Sequence, residues 1–125
     1  MVAAIYGTGD YNLAYCKIGD ERWTCIAKGR MRYDDVIFRD QNLLYAATIT
    51  SHVHVFDLSA NSPKLVDTIQ PPTPQPLPPP QQGEPKPERR SYLVKTSIGL
   101  LLVQRHWLWT GSQEERNYCQ QTKIA

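Results

Sequence analysis

Apolar residues recur along this chain in short runs, each closed by glycine, proline, aspartate or asparagine. Residues 2–6 and 12–17 read as strands around the turn Gly7-Thr8-Gly9-Asp10, and residues 22–26 follow the break at Gly19-Asp20-Glu21. Residues 33–38, 43–48, 51–58 and 64–70 read as four more strands, separated by Arg39–Asn42 and by a turn around Asn61 and Pro63. Residues 92–95 and 100–105 form a predicted hairpin about a turn at 96–99. No segment keeps a 3.6-residue apolar period, so helices are not expected.

The runs do not alternate cleanly. Val53 and Val55 share one face of their strand, and His52, His54 and Phe56 share the other. Leu43, Tyr45 and Ala47 likewise oppose Leu44 and Ala46. Apolar residues on both faces predict a sheet covered on both sides. Without helices, the cover must be other antiparallel sheets. The four runs between residues 33 and 70 match one blade of a β-propeller, whose repeats run about 40 to 50 residues. A closed propeller needs at least about four blades, more than 125 residues supply at that spacing.

Residues 71–90, PPTPQPLPPPQQGEPKPERR, hold nine of the ten prolines. Proline fixes φ and removes a hydrogen-bond donor, so this stretch is expected to stay out of the sheets as an extended loop. Pro71 to Pro74 and Pro76 to Pro79 both fit P-x-x-P, the pattern that SH3 and WW domains take. Residues 111–125 are polar, unpatterned and expected to fray.

The formal charge of +2 comes from 14 basic and 12 acidic residues, with one basic cluster at residues 86–90. That is no nucleic-acid footprint. No apolar run reaches the roughly 20 residues of a membrane span, and the N-terminus lacks the pattern of a signal peptide. The expected setting is intracellular, cytoplasmic or nuclear. Cys16, Cys25 and Cys119 show no metal or redox spacing and read as buried or inert thiols.

Candidate chemistry is thin. His52 and His54 lie two apart on one strand, a two-ligand geometry for zinc, but a third ligand is not evident and His106 is distant in sequence. Asp34 and Asp35 are adjacent, so a regular strand points them to opposite faces and denies them the facing pair of a glycosidase; a solvated strand start is expected. Gly7-Thr8-Gly9-Asp10 lacks the third glycine and lysine of a phosphate loop and reads as a turn. Trp23, Trp107 and Trp109 sit at strand positions and read as packing residues. No residue is put forward as catalytic, cofactor-binding or metal-ligating, and no cofactor is expected.

GDERWTCI, YDDVIFRDQNLLYA, VHVFDL, the proline-rich gap and SYLVKTSIGLLLVQR stand in an order that resembles the plant F-box/KIB-type β-propeller family. The match runs from about residue 2 to 106, through Trp23, Asp35, Tyr45, Val53, Asp57, Tyr92, Gly99 and Arg105. Asp40-Gln41-Asn42 departs from the glycine usual in the family turn, and Lys95-Thr96 replaces Glu-Ser. The resemblance implies an all-β fold of antiparallel four-stranded blades, an incomplete propeller at residues 1–110 with a proline-rich insertion at 71–90 and a divergent polar tail at 111–125. It implies a non-enzymatic protein-interaction module, a fragment or degenerate copy of the substrate-recognition half of a ubiquitin-ligase receptor. The F-box that would dock on the Skp adaptor is absent, so that docking is not expected. A protein partner is expected, with self-association through unpaired blade edges. Two rival readings stay open: a proline-motif adaptor working through residues 71–90, and a small β-domain enzyme or metal-binding protein.

Overall fold

The computed structural model describes residues 1–7, 12–27, 31–71, 88–110 and 113–125, the backbone alone for 108–110 and 113–118. These residues form strands and turns, with no helix among them. The strands are β1 (Val2–Tyr6), β2 (Asn12–Cys16), β3 (Thr24–Ala27), β4 (Tyr33–Phe38), β5 (Leu43–Thr48), β6 (Val53–Asp57), β7 (Lys64–Ile69), β8 (Glu88–Thr96), β9 (Gly99–Thr110) and β10 (Gln113–Lys123). They make three antiparallel sheets, ordered β1-β2-β3, β4-β5-β6-β7 and β10-β9-β8.

The central sheet explains the missing alternation. Leu44, Ala46 and Phe56 leave one face to meet Leu13 and Tyr15 of the first sheet. Tyr45, Ala47, Val53 and Val55 leave the other to meet Leu93, Leu100 and Leu102 of the third. β4, β5 and β6 therefore each serve two cores, one per face, while β7 adds only Ile69, to the second. Leu13, Leu44, Val53 and Leu102 are fully enclosed, and each such side chain contributes about 1.5–3 kcal/mol by leaving water.

Turn chemistry sets the ends of the strands. Gly19 has φ 94° at the tip between β2 and β3, where the Asp20 carboxylate accepts the Lys17 amide at 2.9 Å. Gly99, at φ 133°, leaves no room for a side chain, because a Cβ there would collide with the Ala125 carbonyl. That carbonyl accepts the Leu100 amide at 2.8 Å, tying the chain's end into the third sheet.

The first expectation to fall is the frayed tail. Residues 113–123 form β10, paired with β9 from Gln113 opposite Thr110 to Lys123 opposite Leu101. A ladder is held by backbone groups, so a polar sequence can complete one without an apolar signature. The limit of the proline-rich stretch also moves, since Glu88, Arg89 and Arg90 belong to β8 and pair with Trp107, His106 and Arg105. Pro87 is the last proline of the stretch, and from residue 88 onward every residue offers an amide donor.

The second correction concerns Asp34 and Asp35. A β-bulge between Tyr33 and Asp35 breaks the two-residue period of β4, so both carboxylates reach the same neighbour. Asp34 Oδ2 accepts the Ser91 amide at 3.1 Å, and Asp35 Oδ2 accepts the Leu93 amide at 2.8 Å. β8 is the edge of its sheet; among the described residues, these donors have no hydrogen-bonded strand beside them. Two charged acceptors stand in for that strand, and charge-assisted bonds are the stronger kind. The Asp34 side chain is only 3% exposed and lies 3.6 Å from Arg32 Nε. The pair joins two sheets and is not a solvated strand start.

Strand direction shows how the three sheets relate. Lys95 reaches the Arg39 carbonyl, and the Leu58 amide reaches the Asn42 carbonyl. The turns after β4, β6 and β8 therefore share one rim. Met1 and Lys17 line a cleft there with Phe38 and Asp40. β1 thus starts at the rim where β4 and β8 end, and runs against them. β4 and β8 are the strands by which neighbouring sheets are joined, as innermost blade strands are. With its direction reversed, β1 takes the place of a second blade strand. The first sheet corresponds to strands two to four of a blade, the central sheet to a whole blade, and the third to strands one to three.

Candidate interaction surface

The rim carries the most exposed apolar side chains of the described residues, Ile18 at 95% and Ile98 at 68%. Each directly precedes a glycine in the left-handed region, Gly19 or Gly99, which holds it at the tip of a tight turn. Thr96 Oγ1 braces the second turn, donating to the Gly99 carbonyl at 2.8 Å and accepting the Ile98 amide at 3.3 Å. Between the first and central sheets the same rim opens into a cleft of about 440 Å³, bordered by Met1, Lys17, Ile18, Phe38, Asp40, Gln41 and Asn42. It offers a cation, an anion, two amides and an apolar floor. That mixture suits a protein surface better than a small apolar ligand.

Rigid supports lie just below. Arg39 donates to the Tyr45 hydroxyl at 3.0 Å and stacks over its ring at 5.9 Å; the hydroxyl bond holds its pKa above the ordinary value. The Ser59 bonds to Asp57 keep that carboxyl below its ordinary value, one of them being the Ser59 amide at 2.9 Å. These contacts fix the turns after β4 and β6.

His52 and His54 do not form a ligand pair. His54 Nδ1 is 2.9 Å from the Tyr33 hydroxyl, and its ring packs edge-on against Tyr33 and Phe56 at 5.6 and 6.1 Å. Burial, with His52 nearby, pushes its pKa down, while burial alone pushes the Tyr33 phenol up. His52 belongs to the turn before β6, with Nδ1 3.0 Å from Thr50 Oγ1. His106 is buried on β9 opposite Arg89; burial, with the Arg89 charge nearby, lowers its pKa. Among the described residues, no three His, Cys, Asp or Glu side chains come together.

Trp23 also departs from expectation. It precedes β3, is 54% exposed, and borders a groove of about 400 Å³ with Ala4, Tyr6 and Ala14 on the outward side of the first sheet. The Arg105 guanidinium lies 5.1 Å over the Trp107 ring. The side chain of Trp109, residues 8–10 of the glycine turn, and the P-x-x-P motifs from residue 72 onward lie outside the described residues. Cys119 is an exposed thiol, and Cys16 and Cys25 are half-buried thiols. The rim isoleucines had a readable signal, an isoleucine immediately before a turn glycine in KIGDE and in TSIGL.

Sheets stacked face to face, joined along one set of edge strands and linked from the last strand of one to the first of the next, are blades of a β-propeller. The KIB1-4 beta-propeller family model matches residues 1–124, and the chain belongs to that family. The match extends past residue 106 and takes in β10, which the residue pattern did not. The chain is also similar to a protein of Arabidopsis thaliana named "Putative F-box protein At5g55150", 34% identical over 64 residues, which cover 51% of this chain and 17% of that protein. No solved structure matches significantly. A propeller related to F-box proteins is a protein-interaction module at the coarse level.

Proposed function

We propose that this chain is an intracellular, non-enzymatic module that binds a protein target through the rim at Ile18, Asp40 and Ile98. It resembles the substrate-recognition propeller of F-box ubiquitin-ligase receptors. One observation carries the reading. Two isoleucines, Ile18 almost fully exposed and Ile98 about two-thirds exposed, stand on turns closed by glycines in the left-handed region, on the same rim as a cleft with Lys17 and Asp40. A tight turn has no folding reason to display isoleucine, whereas an apolar anchor held rigidly beside polar groups is how interfaces concentrate binding energy.

The test compares crosslinked partners of the wild-type chain, of Ile18→Asp/Ile98→Asp, and of a chain lacking residues 72–87. The rim reading expects the same named partner with the wild type and the deletion, and its loss with the double variant. A partner lost on deletion and kept by the double variant transfers the function to the proline motifs. Circular dichroism of all three proteins controls for folding.

A further inference from the structure

Two basic stretches far apart in sequence enter the stack at one place. Residues 28–32 lead into β4 and residues 86–90 into β8; together they hold six cations and one anion, net +5 against +2 for the whole chain. All other residues together carry net −3, so positive charge is concentrated where β4 and β8 begin. That end lies opposite the rim of Ile18 and Ile98, because β4 and β8 run from one to the other. Hydrogen bonds tie the two stretches to a single residue there. The Ile49 amide donates to the Arg32 carbonyl at 3.1 Å, and Arg89 Nη2 donates to the Ile49 carbonyl at 3.1 Å. Arg32 and Arg89 are exposed, and Ile49, bonded to both on the turn from β5 to β6, is 40% exposed.

Acidic groups at this end are few or already engaged. Asp34 lies 3.6 Å from Arg32 Nε, and its second oxygen accepts the Ser91 amide. Glu88 stands at the start of β8 opposite Trp107. Beyond it the hairpin of β9 and β10 carries Glu114, Glu115 and Arg116, net −1. Behind the surface, the seam between the central and third sheets turns polar. The buried polar residues of the described chain, Thr48, Ser51, Ser91, Gln104 and His106, all gather at this end. Among the described residues, Ser91 Oγ and Gln104 Oε1 have no protein hydrogen-bond partner. A guanidinium is a fork of several N–H donors, and Arg89 commits one to Ile49. Such forks suit carboxylates, and the isoleucine suits an apolar side chain between them.

We propose that the surface of Arg32, Ile49 and Arg89 docks an acidic segment of a partner protein, its carboxylates on the arginines and an apolar side chain on Ile49. Single-stranded nucleic acid binds by stacking its bases on open aromatic faces. At this end of the central and third sheets the described aromatics are engaged. Tyr33 is buried against His54 and Phe56, and Trp107 lies beneath Arg105. A membrane surface takes a broad apolar face beside its cations, whereas the described residues of these two sheets expose one large apolar side chain here, Ile49. The inference does not depend on the rim of Ile18 and Ile98 as a target site.

Fluorescence anisotropy on the 125-residue chain tests it with labelled probes. One is a peptide of glutamate pairs alternating with leucine, another the same peptide with serine for glutamate, and a third an oligothymidine of matched charge. Co-sedimentation with phosphatidylserine–phosphatidylcholine vesicles covers the membrane. The acidic peptide should bind, more weakly as salt rises, and should bind in preference to every other probe. Arg89→Gln and Ile49→Ser should each weaken it by at least about fivefold with the circular dichroism spectrum unchanged. Arg32→Gln replaces Arg89→Gln should that variant not fold. Ile18→Asp/Ile98→Asp should bind the peptide as the wild type does. Failure to bind the acidic peptide, or binding indifferent to Arg89→Gln and Ile49→Ser, would overturn the proposal. So would oligothymidine or vesicles bound as tightly as the peptide, which would give the surface to nucleic acid or membrane. Loss of the peptide in the Ile18/Ile98 variant would also overturn it, by moving the site to the other rim.

Discussion

Replacing Ser51 by glycine should destabilise this protein, although the backbone there favours glycine. Ser51 closes the turn between β5 and β6 at φ 69°, a conformation that costs a residue with a Cβ about 1–2 kcal/mol. Glycine removes that strain and gives back about 0.5–1 kcal/mol through the freer unfolded chain. On backbone grounds alone the change stabilises by roughly 0.5–1 kcal/mol. The side chain reverses the sign. Ser51 Oγ accepts a hydrogen bond from Gln104 Nε2, across from the central sheet to β9. Gln104 is 1% exposed, and its Oε1 already lacks a protein partner among the described residues. Stripping the amide of its remaining partner leaves a buried donor unmet, a cost of about 1–3 kcal/mol. The net expectation is a loss of about 1 kcal/mol. Urea unfolding of the wild type, Ser51→Gly, Gln104→Leu and the double variant completes a thermodynamic cycle. In the Gln104→Leu background the donor is gone, so Ser51→Gly should stabilise by about 0.5–1 kcal/mol. The same sign in both backgrounds would refute the reasoning.

Asp34→Ala with Asp35→Ala removes both acceptors of the β8 amides and should cost about 3 kcal/mol; hydrogen exchange should quicken at Ser91 and Leu93 first, while exchange that quickens uniformly would speak against a local latch. Gly99→Ala strains φ 133° and drives a Cβ into the Ala125 carbonyl, so a thermal melt should show at least about 1–3 kcal/mol lost. Leu44→Ala, at a fully enclosed position, should cost about 2–5 kcal/mol in urea unfolding. His54 and His106 both have folded pKa values below 6.5, so the unfolded chain takes up protons first as pH falls. Their contribution is whole above about 6.5 and is lost from there down to the lowered values. Unfolding midpoints between pH 7.5 and 5 should fall, and His54→Gln with His106→Gln should flatten the trend. Asp57 acts in a separate window, its contribution being lost only on acidification through its lowered pKa.

Much of the fold was legible because turn residues and chain chemistry are local. The runs at 2–6, 33–38 and 43–48 became β1, β4 and β5 at the expected residues. The two-faced apolar pattern of β5 and β6 anticipated a sheet covered on both sides, since each side chain's face follows from the two-residue period alone. The rim was only half legible. KIGDE and TSIGL announced turns, but nothing local placed Ile18 and Ile98 on the same rim of the stack.

Tertiary structure decided what depends on partners far along the chain. Whether Asp34 and Asp35 diverge or converge rested on a bulge set by β5, and their partners lie 57 and 58 residues away on β8. That β10 exists at all was decided by β9, whose backbone groups needed a neighbour and accepted a polar strand to supply it. Trp23 became a surface residue because nothing in the described chain covers the outward side of the first sheet. A sequence specifies by itself which residues are extended and which face each side chain takes, through local sterics and period. Which edges meet and which faces stay open is decided by long-range hydrogen bonding and sheet stacking, and for this protein those choices place the candidate interaction surfaces.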